Sequence, residues 1–149
     1  MFYNFRKNKK AFTLVELIVV IAIIAILGAV VGVTVSRFVD NAREKAALSP
    51  MNGLVDNWES YKVDSPNKDI KTVVGELFPN EKSNFSASAT SVWTTKISAL
   101  GTGTVYIYYH DDNCGKYYGQ LKIENGVVKK ANVSAIETAP SGAQAYPSN

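Results

Sequence analysis

Among the titratable residues of this 149-residue chain, Glu16 has the most unusual setting, because it stands at the head of an apolar run. From Leu17 to Val35 there are 19 residues without a charge, dominated by Ile, Val, Leu and Ala. A carboxylate costs about 2.5 kcal/mol or more at mid-membrane, less near the interface, so one placed here is usually held by a partner. Two roles stay open for Glu16: a marker of the membrane interface, or one half of an ion pair. The candidate cation lies four residues upstream. A cut after the small residue Ala11 would free the α-amine of Phe12, a cation with a reference pKa of about 8. That amine could neutralise Glu16 in its own chain or in a neighbour.

Other residues capable of chemistry cluster in one short stretch. His110 and Cys114 are the sole histidine and cysteine, at the two ends of a predicted turn. A nucleophile–base pair needs a third group to orient the base, and only adjacent acids are on offer. No catalytic constellation assembles, and the chain is read as a non-enzyme. Asp111, Asp112 and Asn113 supply oxygen ligands of the kind calcium takes, without the full alternating ligand loop. A solvated turn is the simpler reading, and no metal or cofactor is expected. Tyr106, Tyr108, Tyr109, Tyr117 and Tyr118 suit cross-strand packing, with a ring wall that stacks sugars or bases as the rival. Cys114 has no second cysteine with which to close a disulfide.

The elements that position these residues are legible in turn. A helix rises about 1.5 Å per residue, so the uncharged run spans roughly 28 Å, close to the thickness of a bilayer core. Arg6, Lys7, Lys9 and Lys10 precede it and hold that end in the cytoplasm, which puts everything after Val35 outside. Gly28 and Gly32 have the small-xxx-small spacing of close helix contacts. They also read as ordinary membrane-helix glycines, or as a place where the helix stretches. Beyond the span, Val35, Phe38, Ala42 and Ala46, then Met51, Leu54, Trp58 and Tyr61, recur at steps of three and four. This predicts an amphipathic continuation packed on a head. Ser49-Pro50 predicts a kink or a restart, with Ser49 as cap.

Asp64 to Lys68 reads as the stop of the long helix, and Asp69 as the cap of a short helix from Ile70 to about Phe78 that Pro79 ends. Ser83 to Ser91 is small and hydroxyl-rich, a surface loop or a place for O-glycosylation. Val92 to Leu100 fits a short strand or a helical turn. Thr104 to His110, Tyr117 to Glu124 and Val127 to Val133 predict a three-stranded antiparallel meander, its last hairpin made at Asn125-Gly126. Leu121 and Ile123 should face the core, with Lys122 and Glu124 outward. The tail from Thr138 is expected to be flexible.

The stretch Lys9-Lys10-Ala11-Phe12-Thr13-Leu14-Val15-Glu16-Leu17, followed by Ile18-Val19-Val20-Ile21-Ala22-Ile23-Ile24, resembles the prepilin signal of type IV pilins and pseudopilins. The resemblance covers roughly residues 6 to 35. It implies cleavage between Ala11 and Phe12 by a prepilin peptidase, N-methylation of Phe12, and an assembly role for Glu16. The family usually has Gly before the cut, where this chain has Ala11. Many members have a proline near the end of the span, where this chain has Val33. The lone cysteine suggests a Gram-positive type.

The implied fold is α+β: a long N-terminal helix on a small antiparallel sheet. Its expected parts are a leader (1–11), a membrane and fibre-core helix (12–35), an amphipathic half (36–63) and a head (64–149). The hinge points are Gly28, Gly32 and Pro50. The implied partners are copies of the chain and other pilins, the peptidase and the assembly platform of the cytoplasmic membrane. Net charge +3 includes four basic leader residues, and removing them leaves 12 basic and 13 acidic side chains. That balance argues against a nucleic-acid binder working by bulk electrostatics. The expected function is a structural fibre subunit. The alternatives are a minor tip pilin that binds DNA, glycan or a surface, and an uncleaved signal-anchored protein.

Overall fold

The computed structural model describes residues 12–148; the leader and Ala11, the residue before the expected cut, lie outside them. The chain divides into two compact units, with the boundary between Val39 and Asp40. One helix, α1 (Leu14–Asp64), runs through that boundary. Val and Ile are only moderate helix formers, but in lipid every backbone polar group must be satisfied within its own segment, and a helix does this.

Pro50 lies inside α1, so the restart expected at Ser49 does not occur. Proline removes a helical donor and costs about 3 kcal/mol or more. Here it is buried beside Ala47, Met51, Leu54 and Trp58, whose large side chains each contribute about 1.5–3 kcal/mol on burial. Packing outweighs propensity. The Trp58 indole N–H is buried with no hydrogen-bond partner among the described residues, so its contribution there is apolar. The first predicted apolar set behaves differently. Val35, Phe38 and Ala42 are exposed, and burial against the head begins at Ala46 and Ala47.

Helix α2 (Ile70–Leu77) is capped as its sequence predicts, with Asp69 accepting from the Thr72 N–H at 2.7 Å. It buries Ile70, Val73 and Val74. The hydroxyl-rich stretch after it is not simply a loop. It holds β1 (Phe85–Ala87), where Phe85 and Ala87 point into the core and Ser86 does not. The ambiguous segment resolves into α3 (Thr90–Thr94) and a 3-10 turn at Ile97–Ala99.

The remaining strands are β2 (Thr104–Tyr109), β3 (Tyr118–Glu124), β4 (Val133–Ile136) and β5 (Gln144–Ala145). They form a five-stranded antiparallel sheet in the order β4-β3-β2-β1-β5, not a three-stranded meander. Leu121 and Ile123 face the core as expected. The Asn125-Gly126 turn also forms, with φ of 50° and 70°, the left-handed pair that a two-residue hairpin requires. Its second arm is not Val127–Val133. After a single bridge at Val127, Lys130–Asn132 makes a 3-10 turn, and β4 starts at Val133. Val127-Val128-Lys129-Lys130 changes character in pairs, and a half-buried strand needs alternation.

The tail is paired rather than loose. Residues 137–143 carry the chain from one sheet edge to the other, and β5 then joins β1. Tyr146 N–H donates to Phe85 O at 3.0 Å, and the Trp93 indole donates to Gln144 O at 3.2 Å. The Tyr146 hydroxyl donates to Lys71 O at 3.1 Å, and its ring meets Trp93 edge-on at 5.2 Å. In a chain with one cysteine, these contacts fasten the C-terminal segment.

Helix α1 reaches the sheet backbone at Gly119. A Cβ there would collide with the Ala47 carbonyl oxygen and lie 3.0 Å from Met51 Cγ. Gly119→Ala should therefore cost about 1–3 kcal/mol of head stability through overpacking. Denaturant unfolding of the full chain in detergent, followed by tryptophan fluorescence, measures it. An unchanged midpoint would contradict the tight α1–sheet contact.

Candidate assembly site

The site begins at the first turn of α1. Thr13 precedes the helix, and its hydroxyl oxygen accepts from the Glu16 N–H at 3.3 Å. In return, Glu16 Oε2 accepts from both the Thr13 N–H and the Thr13 hydroxyl, each at 2.8 Å. This reciprocal pattern is a capping box: a Ser or Thr at the N-cap and a Glu three residues on satisfy each other's free donors. Thr13-Leu14-Val15-Glu16 is its sequence signature, and Thr13 is the residue that the reading from sequence passed over. Phe12, next to the cap, is 87% exposed. The other half of the expected cleavage pair, Ala11, lies outside the described residues.

Behind the cap, every large apolar side chain from Phe12 to Phe38 is half or more exposed. Contiguous apolar surface on this scale marks a lipid or protein contact. The helix is long and apolar enough to cross a membrane. Gly28 and Gly32 lie on it with open space where a Cβ would stand, so neither is required by a contact among the described residues. The Thr34 hydroxyl donates to Val30 O at 3.0 Å and the Ser36 hydroxyl to Gly32 O at 3.1 Å, which satisfies both groups inside the helix.

The structure brings the second group of candidates together for a different purpose. Asp111 Oδ1 accepts from the Asn113 and Cys114 N–H groups at 3.0 and 3.1 Å and from the Cys114 thiol at 3.0 Å. Asp111 Oδ2 accepts from Asn113 Nδ2 at 3.0 Å and from the Tyr109 hydroxyl at 3.3 Å. Its carboxylate caps the 3-10 turn Asp112–Cys114, while Asp112 and Asn113 are exposed. Burial alone would raise the Asp111 carboxyl, but the bonds from Cys114, Asn113 and Tyr109 together hold it below its ordinary value. Burial, then the hydrogen bond to Asp111, pushes the Cys114 thiol up to about 11. His110 Nδ1 lies 2.9 Å from Tyr117 O, and its ring stacks on Tyr118 at 4.1 Å. His110 and Cys114 thus serve separate partners.

An exposed apolar helix of membrane-spanning length, headed by a capped carboxylate and followed by a helix-on-sheet head, defines a pilin-like α+β protein suited to a membrane anchor. Residues 6–32 match the prokaryotic N-terminal methylation motif. That motif is the type IV prepilin signature, so over these residues the chain is similar to type IV pilins and pseudopilins. The signature implies processing by a prepilin peptidase and assembly into fibres. No curated protein and no solved structure matches the chain.

The Asp111 network carries a pH dependence of known sign. A carboxyl depressed in the folded state adds stability above its unfolded pKa of about 4, and that stability is lost as pH falls through the lower folded value. Asp111→Ala should therefore be less stable than the unmodified chain at neutral pH. The difference should shrink below about pH 4, as read by denaturant midpoints across pH. A constant difference would remove charge from the account. Cys114 should resist maleimide at neutral pH and react once the chain is unfolded.

Proposed function

We propose that the chain is a structural subunit of a type IV pilus or pseudopilus-like fibre, assembled through the apolar half of α1. The observation that carries this reading is the exposed apolar surface from Phe12 to Phe38, headed by the Glu16 carboxylate. Copies of the chain bury that surface against one another and remove it from lipid or water, the dominant favourable term in association. Glu16 sets the depth of each helix by pairing with the Phe12 amine of a neighbour once the leader is gone. Before assembly the chain spans the cytoplasmic membrane once, with its basic end inside and its head outside. Afterwards it lies in an extracellular fibre.

A structural role also suits the polar cluster of the head. The Asp111 oxygens are taken up by donors of their own turn, and a thiol raised to about 11 is a poor nucleophile at neutral pH. The rival reading, a tip pilin that binds sugar or bases through its sheet, has less surface to use. Tyr106 and Tyr108 stack on each other, but Tyr108 is only 8% exposed.

Intact mass of the exported chain should show a start at Phe12 and one added methyl group. Fibres made of chains that keep Met1 to Ala11 would refute the reading. Glu16→Leu should still be inserted and cleaved, since a carboxylate has left the edge of the span. Co-expressed with unmodified chains, it should stay largely in the membrane. Equal recovery of both forms in sheared fibres would return Glu16 to the role of an interface marker.

A further inference from the structure

We infer that the uncovered edge of the sheet, strand β4, is a contact surface for a second copy of the chain, paired with it strand to strand and antiparallel. The inference rests on the fibre reading for its setting and adds a contact that burial of α1 does not supply. Strand β4 (Val133–Ile136) ends the sheet on one side, and its backbone bonds only to β3 among the described residues. An edge strand carries a row of open N–H and C=O groups, which folded proteins blunt with a charge or proline in the strand, a bulge, or a covering segment. Val133-Ser134-Ala135-Ile136 has no charge and no proline, and it pairs with β3 in unbroken register. The opposite edge offers less, since β5 is two residues long and runs into Tyr146-Pro147.

Charge selects the partner. Lys129 and Lys130 precede the strand, and Lys130 meets Asp56 at 3.0 Å, which leaves one positive charge in excess. Glu137 follows the strand and meets Lys116 at 3.0 Å, with Asp40 close enough to act on the same ammonium, which leaves one negative charge in excess. Two copies of β4 laid in the same direction would bring like ends together. Laid antiparallel, each positive end meets a negative one. The pleat then limits the register, because opposite residues must point to the same face and the pair must centre on a residue. Centred on Ser134, Val133 lies opposite Ala135, and Glu137 comes beside Lys130 of the second copy. Centred on Ala135, Glu137 lies opposite Val133, away from both lysines. Centred on Val133, the strand would face the 3-10 turn Lys130–Asn132. The charges and the strand length together favour Ser134.

Direction decides where such a pair can form. Lys130, ahead of β4, lies at Asp56, while Glu137, after it, meets Lys116, next to the Gly115 that Arg43 covers. The strand therefore runs against the second half of α1, and an antiparallel β4 pair sets two such helices in opposite directions. Copies within one fibre share a direction, so the pair joins two fibres that run opposite ways. A single contact is small and its exposed ion pairs are weak, but repetition along both fibres adds up through avidity.

Full-length chains carrying Ser134→Cys are expressed in the native host, and the sheared fibres are oxidised and run on a non-reducing gel. The exposed position Thr102→Cys is the reference, and the native Cys114 is buried. Opposed Cα atoms in such a ladder stand about 4.5–5.5 Å apart, within disulfide reach. Ser134→Cys should link as dimers while Thr102→Cys stays monomeric. Adding Lys129→Glu, a residue with no ion pair to a described residue, should lower the dimer about threefold at low salt. Normal fibres with no more dimer than Thr102→Cys overturn the pairing and leave the fibre reading standing. Dimer that forms equally in well-separated single fibres overturns a contact between fibres. A rise with Lys129→Glu would mean parallel strands and overturns it too. Absence of fibres from the unmodified chain overturns the fibre reading and this contact with it. If Ser134→Cys does not reach the fibres, Lys129→Glu alone decides: electron micrographs should show about threefold fewer side-by-side fibres than the unmodified chain gives, and an equal count overturns the pairing.

Discussion

The constraint on which the rest of this protein depends is the apolar surface of the first half of α1. Side chains from Phe12 to Phe38 are exposed in the single chain, and at about 25 cal/mol per Å² no such surface rests in water. On the proposed function, lipid covers it first and copies of the chain cover it later. Both environments are apolar, and neither supplies backbone hydrogen bonds, so the same helix serves in each. The positions that interrupt the apolar surface are informative for this reason. Glu16 is satisfied by Thr13, and Thr34 and Ser36 turn their hydroxyls back onto the helix. These three polar groups are handled locally.

The head solves a separate problem, that of a small core with no disulfide. Trp58, Met51 and Leu54 of α1 share one cluster with Ile107, Leu121 and Ile123 of the sheet, and the absence of a side chain at Gly119 lets helix and sheet backbones close up. The C-terminal segment adds the edge strand β5 and plants Tyr146 against Trp93 and the carbonyl of Lys71. Most of the head's ion pairs are exposed and contribute little. The buried rings and the Asp111 cap give it definition.

Glu16 and Asp111 show how one residue type is put to two uses. Both carboxylates cap the start of a helical turn, and both accept backbone N–H groups. Asp111 has both oxygens occupied within its own turn, which makes it architecture. Among the described residues, Glu16 has one oxygen occupied, on a stretch of helix whose apolar side chains are exposed. The difference lies in what remains available, and it separates a structural acid from one that can meet a partner.

The sequence by itself determined whatever depends on local pattern. The uncharged run, its basic leader and the Glu16 position follow from periodicity and charge. The Asp69 cap, the Asn125-Gly126 turn and the inward faces of Leu121 and Ile123 follow from rules that span a few residues. Thr13 was equally legible, since the capping-box pattern is written in four consecutive residues. Tertiary structure decided the rest. Pro50 stays within the helix because the core beneath it outweighs the lost hydrogen bond. Phe85-Ser86-Ala87 becomes a strand, although its neighbours are loop-like, because β2 offers an edge to pair with. Gln144-Ala145 pairs in turn because β1 then presents its own. Strand pairing across tens of residues leaves no trace in either segment alone, as each partner's hydrogen bonds are completed by a stretch of chain that only the fold brings near.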